Sequence, residues 1–215
     1  MTSKYFHQSI EEGKKFHLEN KSWTGFDTIK YQKQIKDLVV YYNAKTILDY
    51  GCGKGSQYSE KLIYDETLGL QTFDEFLGVE VYKYDPCVAE FSKLPDAGIK
   101  FDGVICSQVL GSIPHGDLDW VAKELESFTD KFCFIGLNYQ KKPKSKKYIY
   151  NVDFFHNNRT REYFKNFFAE WPNNNLFWWW KDRLHYDNWI QDQINKTWKD
   201  IPDSVSSKYP FVEYI

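Results

Sequence analysis

The stretch Ile47-Leu48-Asp49-Tyr50-Gly51-Cys52-Gly53-Lys54-Gly55 is the part of this chain whose residue types and spacing best suit ligand chemistry. Glycines at 51, 53 and 55 follow a short apolar run, so the backbone can turn through positive φ and come close to a bound group. A dinucleotide-binding turn has the spacing G-x-G-x-x-G, in which the third glycine lets the next helix pack tightly and aim its N-terminus at a pyrophosphate. Serine holds that third place here, as Ser56. Asp49, two residues ahead of Gly51, puts a carboxylate at the start of the turn, and a carboxylate attracts an ammonium group and repels a phosphate. The spacing therefore favours a ligand with a cationic amino group. Cys52 is the other reactive type in the turn. Lys54 and the turn amides would lower its thiol pKa, but no histidine stands near it in sequence to serve as a base.

Positioning such a turn requires a strand before it and helices around it. Residues 45–50 are short, apolar and β-branched, which predicts a buried parallel strand ending at the glycines. Residues 5–20 predict a short N-terminal helix. Residues 28–43 carry Ile29, Ile35, Leu38, Val39 and Tyr42 at helical spacing, with Asp27 placed as the cap. A helix over 56–64, starting on a serine, and a strand over 76–84, stopped at Asp85-Pro86, are expected next. Phe101–Ser107 and residues 131–137 read as further buried strands, with an amphipathic helix over 117–128 between them. In the last third, 160–171 reads as helix, Leu176–Lys181 as strand and 186–198 as helix. Trp178 and Trp180 would share one face of that strand, and a core role is the first reading for that face. Strands and helices alternating at this spacing imply βαβ units, hence an α/β fold with a mostly parallel sheet and helices on both faces.

Bulk composition removes several function classes. A net charge of −2 provides no overall field toward nucleic acid or membrane. No run approaches the roughly 18 apolar residues of a membrane span, and the N-terminus lacks the apolar core of a signal peptide. Cys52, Cys87, Cys106 and Cys133 form no CxxC pair, so reduced thiols and no metal site are expected. These features together predict a soluble, cytoplasmic protein, with its oligomeric state left open. The lysines of 141–147 read as a solvated loop, with phosphate binding as the alternative.

The pattern Asp-x-Gly-x-Gly-x-Gly after an apolar strand resembles motif I of class I S-adenosylmethionine-dependent methyltransferases. The resemblance implies a Rossmann-like fold, S-adenosylmethionine as cofactor and methyl transfer as activity. It implies that Asp49, Gly51 and Gly53 hold the methionine part of the cofactor, with backbone contacts from Tyr50 and Cys52. The family also places an acid at the end of the second strand, on the ribose hydroxyls. Asp85, in Tyr84-Asp85-Pro86, and Glu80, in Gly78-Val79-Glu80, compete for that role. The stretch from Tyr84 through Pro86 to Pro95, followed closely by Phe101–Ser107, resembles a bacterial and phage subgroup in which a Tyr-Asp-Pro element leads almost directly into the fourth strand. That favours Asp85. The resemblance covers residues 45–137. It implies one methyltransferase domain over 1–215: an N-terminal helical cap over 1–43, a cofactor-binding half over 44–138 and a substrate-side half over 139–215.

In that subgroup Ser107 and Gln108, just past the fourth strand, would stand at the methionine end of the site. Relatives continue Val-Leu-Glu-His-Ile, whereas this chain has Val109-Leu110-Gly111-Ser112-Ile113, so Gly111 and Ser112 replace the Glu-His pair. His156, ahead of an aromatic-rich helix, loosely resembles an Asn-x-His element and is one catalytic candidate. His115, in Pro114-His115-Gly116, is the other, and both also read as turn or packing histidines. The Asp/Asn-Pro-Pro-Tyr element of DNA amino-methyltransferases is absent after the fourth strand, which argues against duplex DNA and for a small-molecule acceptor. Three readings stand: an active methyltransferase, a methyltransferase-like protein that holds the cofactor without turnover, and an NAD-dependent oxidoreductase, which Ser56 disfavours.

Overall fold

The computed structural model describes residues 2–19, 24–65, 67–138, 160–171, 176–181 and 189–190. Helix α1 spans Lys4–Glu19 and starts on Ser3, whose hydroxyl accepts the Phe6 amide at 3.2 Å. A 3-10 helix, Phe26–Tyr31, runs into α2, Gln32–Tyr41. The single helix expected over 28–43 is thus divided. Gly25, left-handed at φ 97, opens the 3-10 segment, and Asp27 pairs with Lys30 and caps nothing.

Strand β1, Thr46–Tyr50, ends at the glycine turn. The helix expected over 56–64 is replaced by a three-residue 3-10 turn, Ser56–Tyr58, and a hairpin of β2, Ile63–Asp65, and β3, Gly69–Gln71. The reason is visible at Leu62, Ile63 and Tyr64, which alternate exposed, buried, exposed: a period of two suits a strand and spoils a helix. The strand expected over 76–84 is also divided. Thr72 and Glu75 form a capping box, so Phe73–Leu77 is helix α3, closed by left-handed Gly78, and only Glu80–Tyr84 forms β4. The remaining elements are β5, Phe101–Ser107; α4, Leu118–Phe128; β6, Thr129–Asn138; α5, Arg161–Ala169, capped by Thr160; β7, Leu176–Lys181; and β8, Trp189–Ile190. Trp189 and Ile190 therefore contradict the helix expected over 186–198. They pair antiparallel with Lys181 and Trp180, and the other residues of that segment lie outside the described ones.

The main sheet has the order β4-β1-β5-β6-β7-β8, with every pairing parallel except β7 with β8. Its faces are covered by different helices. Leu48, Val104, Ile135 and Trp178 pack with Val121 and Leu125 of α4 and Phe164 and Phe168 of α5. Ile47, Ile105, Phe134 and Phe177 pack with Ile35 and Leu38 of α2 and Phe73 and Leu77 of α3. Two-sided burial is why these strands read as unbroken apolar runs. Trp178 is core, as expected for its face; the side chain of Trp180 is outside the described set. The chain moves outward from β1 to β4, then crosses back to β5. The strand order therefore reverses between β1 and β5, and the crevice beyond their carboxyl ends is where open α/β sheets hold ligands. Among the described residues no helix is long and apolar enough to cross a membrane.

Candidate functional site

The glycine turn lies at that reversal point. Gly51, Gly53 and Gly55 all adopt left-handed φ, at 85, 61 and 67°. At Gly51 a Cβ would stand 2.1 Å from Val109 Cγ2, so the loop after β1 and the loop after β5 touch there with no room for a side chain. The amides of Gly51 and Cys52 both donate to the Tyr84 carbonyl, at 2.7 and 3.1 Å. The Gly53 amide donates to Asp85 Oδ2 at 3.0 Å. The turn is thus stitched to the end of β4. The Cys52 carbonyl accepts from the Gly55 amide and from Gln57 Nε2, so both of its backbone groups are engaged within the protein. Its thiol is fully buried, and burial, with Asp49 and Asp85 nearby, pushes it far above the usual range, which removes it as a nucleophile. Tyr50 turns its ring to the α4 face, where its hydroxyl donates to Glu124.

Asp49 is fully buried on the opposite face. Its Oδ2 accepts from Tyr58 Oη at 2.7 Å and Gln57 Nε2 at 3.0 Å. Burial raises its carboxyl to about 6, opposed by the bonds from Tyr58 and Gln57 and reinforced by Asp85. Its Oδ1 has no hydrogen-bond partner among the described residues, and neither does Gln57 Oε1. Ser107 ends β5, and because Asp49 pairs with Ile105, Ser107 lies two residues further along the neighbouring strand on the same face. Its buried Oγ also has no partner among the described residues. Such orphans are rare in folded proteins; Asp49 and Ser107 stand at the carboxyl end of two adjacent strands, and Gln57, in the turn after β1, has its Oε1 against Gly25.

Gln108 follows Ser107 with φ 63, a left-handed conformation that costs a non-glycine residue about 1 kcal/mol. Two bonds hold it: its amide donates to the Gly136 carbonyl at 2.8 Å, and its Nε2 to Tyr31 Oη at 3.0 Å. Tyr31 is completely buried, and burial moves its phenol far above the usual range. Gly25 and Thr24 bring this segment to the glycine turn, with the Ser56 amide donating to the Thr24 carbonyl at 2.9 Å. Sequence reasoning missed Tyr31, Gln57 and Tyr58. The signal was faint, since only their nearness to Asp49 and Gln108 in space distinguishes them.

The two acids competing for the end of β4 lie at opposite ends of that strand. Glu80 pairs with Thr46 at the amino end of the strand and is exposed. Asp85 lies just past the carboxyl end, at the same end of the sheet as the glycine turn, and is buried. Its Oδ1 accepts the Cys87 amide at 2.8 Å across Pro86, while Oδ2 accepts the Gly53 amide. Burial raises its carboxyl; the Cys87 amide, His17 and the Gly53 amide pull it back.

His17 comes from α1, which the sequence presented only as polar with scattered aromatics. The Ser3 amide and hydroxyl donate to Asp117 Oδ1 and Oδ2 at 2.7 and 2.6 Å, and the Phe6 ring meets Trp120 edge-on at 5.6 Å. Further along, Cys87 Sγ donates to the Ile10 carbonyl at 3.7 Å. The buried face is Phe6, Ser9, Gly13 and His17, with small residues at its centre that permit close approach.

His115 belongs to a 3-10 helix, His115–Asp117, that leads into α4; its side chain is outside the described set. His156 and the lysines of 141–147 lie outside the described residues. Gly111 and Ser112 fall in the 3-10 turn Leu110–Ser112, and a Cβ at Gly111 would meet nothing within 4 Å. A larger side chain fits there, so packing does not explain the glycine. No protein-family model, no curated protein and no solved structure matches this chain.

Proposed function

We propose that this chain is a class I S-adenosylmethionine-dependent methyltransferase acting on a small-molecule acceptor. The observation that carries the reading is the pair of buried carboxylates at the carboxyl end of neighbouring strands, Asp49 and Asp85, tied together through the glycine turn. A ligand with an ammonium at one end and a vicinal diol at the other fits them. An ammonium has three protons to donate, and Asp49 Oδ1, Gln57 Oε1 and Ser107 Oγ are acceptors without donors among the described residues. Asp85 spends one lone pair of each oxygen on an amide and keeps the others for ribose hydroxyls. When bound, S-adenosylmethionine supplies a methyl group on an electrophilic sulfonium. The chain's own contribution is to orient and to exclude water, through Asp49, Ser107 and Gln108 at the amino-acid end and Asp85 at the sugar end. His115 or His156 is assigned to take the acceptor's proton, on the sequence pattern.

Calorimetry with S-adenosylmethionine, S-adenosylhomocysteine and NAD tests this. The two adenosyl ligands should bind. Binding of NAD alone would overturn the proposal. The turn argues against NAD, because three residues of 3-10 helix replace the helix whose N-terminus would meet a pyrophosphate. A second reading, cofactor binding without turnover, is favoured by Gly111 and Ser112 standing where relatives carry Glu-His. Release of S-adenosylhomocysteine against a metabolite panel separates the two.

A further inference from the structure

Gln108, at φ 63, stands in a backbone region that most side chains avoid, and such strain persists only where neighbours hold it. Its side-chain Nε2 donates to Tyr31 Oη at 3.0 Å, across a long stretch of sequence. Tyr31 ends the 3-10 helix Phe26–Tyr31, and its ring is completely buried, edge-on to Phe134 at 5.4 Å. A Cβ at Gly136 would stand 2.7 Å from Tyr31 Cε2 and 3.0 Å from Ser107 Oγ, so β6 makes room for the ring with a glycine.

The segment that delivers Tyr31 also touches the other loop of the cleft. The Ser56 amide donates to the Thr24 carbonyl at 2.9 Å, and a Cβ at Gly25 would stand 1.9 Å from Gln57 Oε1. Residues 24–31 thus brace the loop after β1 at one end and the loop after β5 at the other. Tyr31 thereby sets Gln108 relative to Asp49, Gln57 and Ser107.

A ligand that ends in an amino acid carries a carboxylate beside its ammonium. Asp49 Oδ1, Gln57 Oε1 and Ser107 Oγ match the ammonium's three protons, but a carboxylate needs donors. The Gln108 amide nitrogen has two protons, and Tyr31 Oη takes one of them. Gln108 is half-buried and makes no other side-chain hydrogen bond among the described residues, so the second proton is open to a ligand. We propose that Tyr31 is a positioning residue: it turns the Gln108 carboxamide so that its second N–H meets the carboxylate of the ligand's amino-acid end. Gln108 then selects a ligand with an intact amino acid over one that carries the amine alone. The proposal rests on S-adenosylmethionine as the cofactor.

The experiment is calorimetry with S-adenosylhomocysteine and with its decarboxylated form, which keeps the ammonium and the ribose and lacks only the carboxylate. Tyr31→Phe keeps the ring in its slot and removes the acceptor. It should bind S-adenosylhomocysteine about fivefold more weakly and the decarboxylated ligand within about twofold of wild type. Gln108→Ala should lose about tenfold on S-adenosylhomocysteine alone, and adding Tyr31→Phe to it should cost nothing further. Gln108→Glu sets a carboxylate against a carboxylate and should reverse the preference between the two ligands. Thermal melts confirm that the variants fold, and Gln108→Glu decides the carboxylate contact should Tyr31→Phe fold poorly. An equal loss on both ligands in Tyr31→Phe makes Tyr31 a core residue only and overturns the proposal. A further loss when Tyr31→Phe is added to Gln108→Ala overturns it too, because Tyr31 would then act by another route. If wild type binds S-adenosylhomocysteine and every variant binds it equally well, the proposal falls and the methyltransferase reading stands. If wild type binds neither ligand, that reading falls and takes the proposal with it.

Discussion

Gly53 donates its backbone amide to Asp85 Oδ2 at 3.0 Å, so the glycine turn after β1 and the acid after β4 form one hydrogen-bonded unit. A change at either should be felt at the other. Glu80, at the amino end of β4, has no such link.

Asp85→Ala should therefore weaken S-adenosylhomocysteine binding by about tenfold or more, the usual cost of losing charge-assisted hydrogen bonds. It should also lower the melting temperature, because the amides of Gly53 and Cys87 lose their acceptor. Glu80→Ala should change affinity by less than about twofold, since an exposed charge so far from the site is screened. Calorimetry on both variants decides, and the opposite ranking would move the ribose contact to Glu80.

The Asp49 carboxyl is raised to about 6, chiefly by burial. An unfolded aspartate titrates near about 3.9. Between those values the folded chain binds more protons than the unfolded one, so this group makes stability fall as pH rises from about 4 to about 6. Above that window the penalty is complete, up to about 3 kcal/mol for two pKa units. Asp49→Asn should raise the melting temperature at pH 7.5, do little at pH 4.5, and weaken binding of an ammonium-bearing ligand. Thermal melts at the two pH values check it; an equal shift at both would exclude this titration as the cause.

The sheet was legible in the sequence, and the helices beside it less so. Phe101–Ser107, and Leu176, Phe177 and Trp178 of β7, are buried on both faces, and an unbroken apolar run has few other homes. The segment after the glycines misled because Ser56 resembles a helix cap, while Gln57 and Tyr58 are drawn back to Asp49 and the chain turns into a hairpin. Phe76 and Leu77 looked like strand because the capping box at Thr72 and Glu75 went unread. In the site, Asp49 and Asp85 were readable from local motifs. Tyr31, Gln57 and His17 were not, because their roles arise only where distant segments converge.

Gly51 is required by both conformation and contact. Gly51→Ala must accept φ 85 and a Cβ 2.1 Å from Val109 Cγ2. The left-handed backbone alone costs about 1 kcal/mol, and the clash adds to it. A loss of about 2 to 4 kcal/mol is expected in urea unfolding. Gly111→Ala, where a Cβ meets nothing, should stay within about 0.5 kcal/mol. Similar losses at both sites would show that the contact between the two loops is not what constrains Gly51.

Ser107 and Thr129 give a matched comparison of a hydroxyl held for a ligand and one used in folding. Both are buried, but Thr129 Oγ1 donates to the Leu125 carbonyl at 2.7 Å, whereas Ser107 Oγ has no partner among the described residues. Removing a hydroxyl that makes a buried hydrogen bond costs about 1 kcal/mol, and leaves the Leu125 carbonyl short of a donor. Removing one that makes none relieves a desolvation penalty. Thr129→Val should accordingly destabilise the chain, and Ser107→Ala should leave it unchanged or firmer by up to about 1 kcal/mol. Ligand binding should respond in the reverse sense, with Ser107→Ala several-fold weaker for S-adenosylmethionine and Thr129→Val unaltered. The two substitutions thus separate the acceptors kept for an ammonium from those spent on the fold. If Ser107→Ala instead lowers stability and spares binding, Ser107 Oγ belongs to the core and the ammonium loses one of its three acceptors.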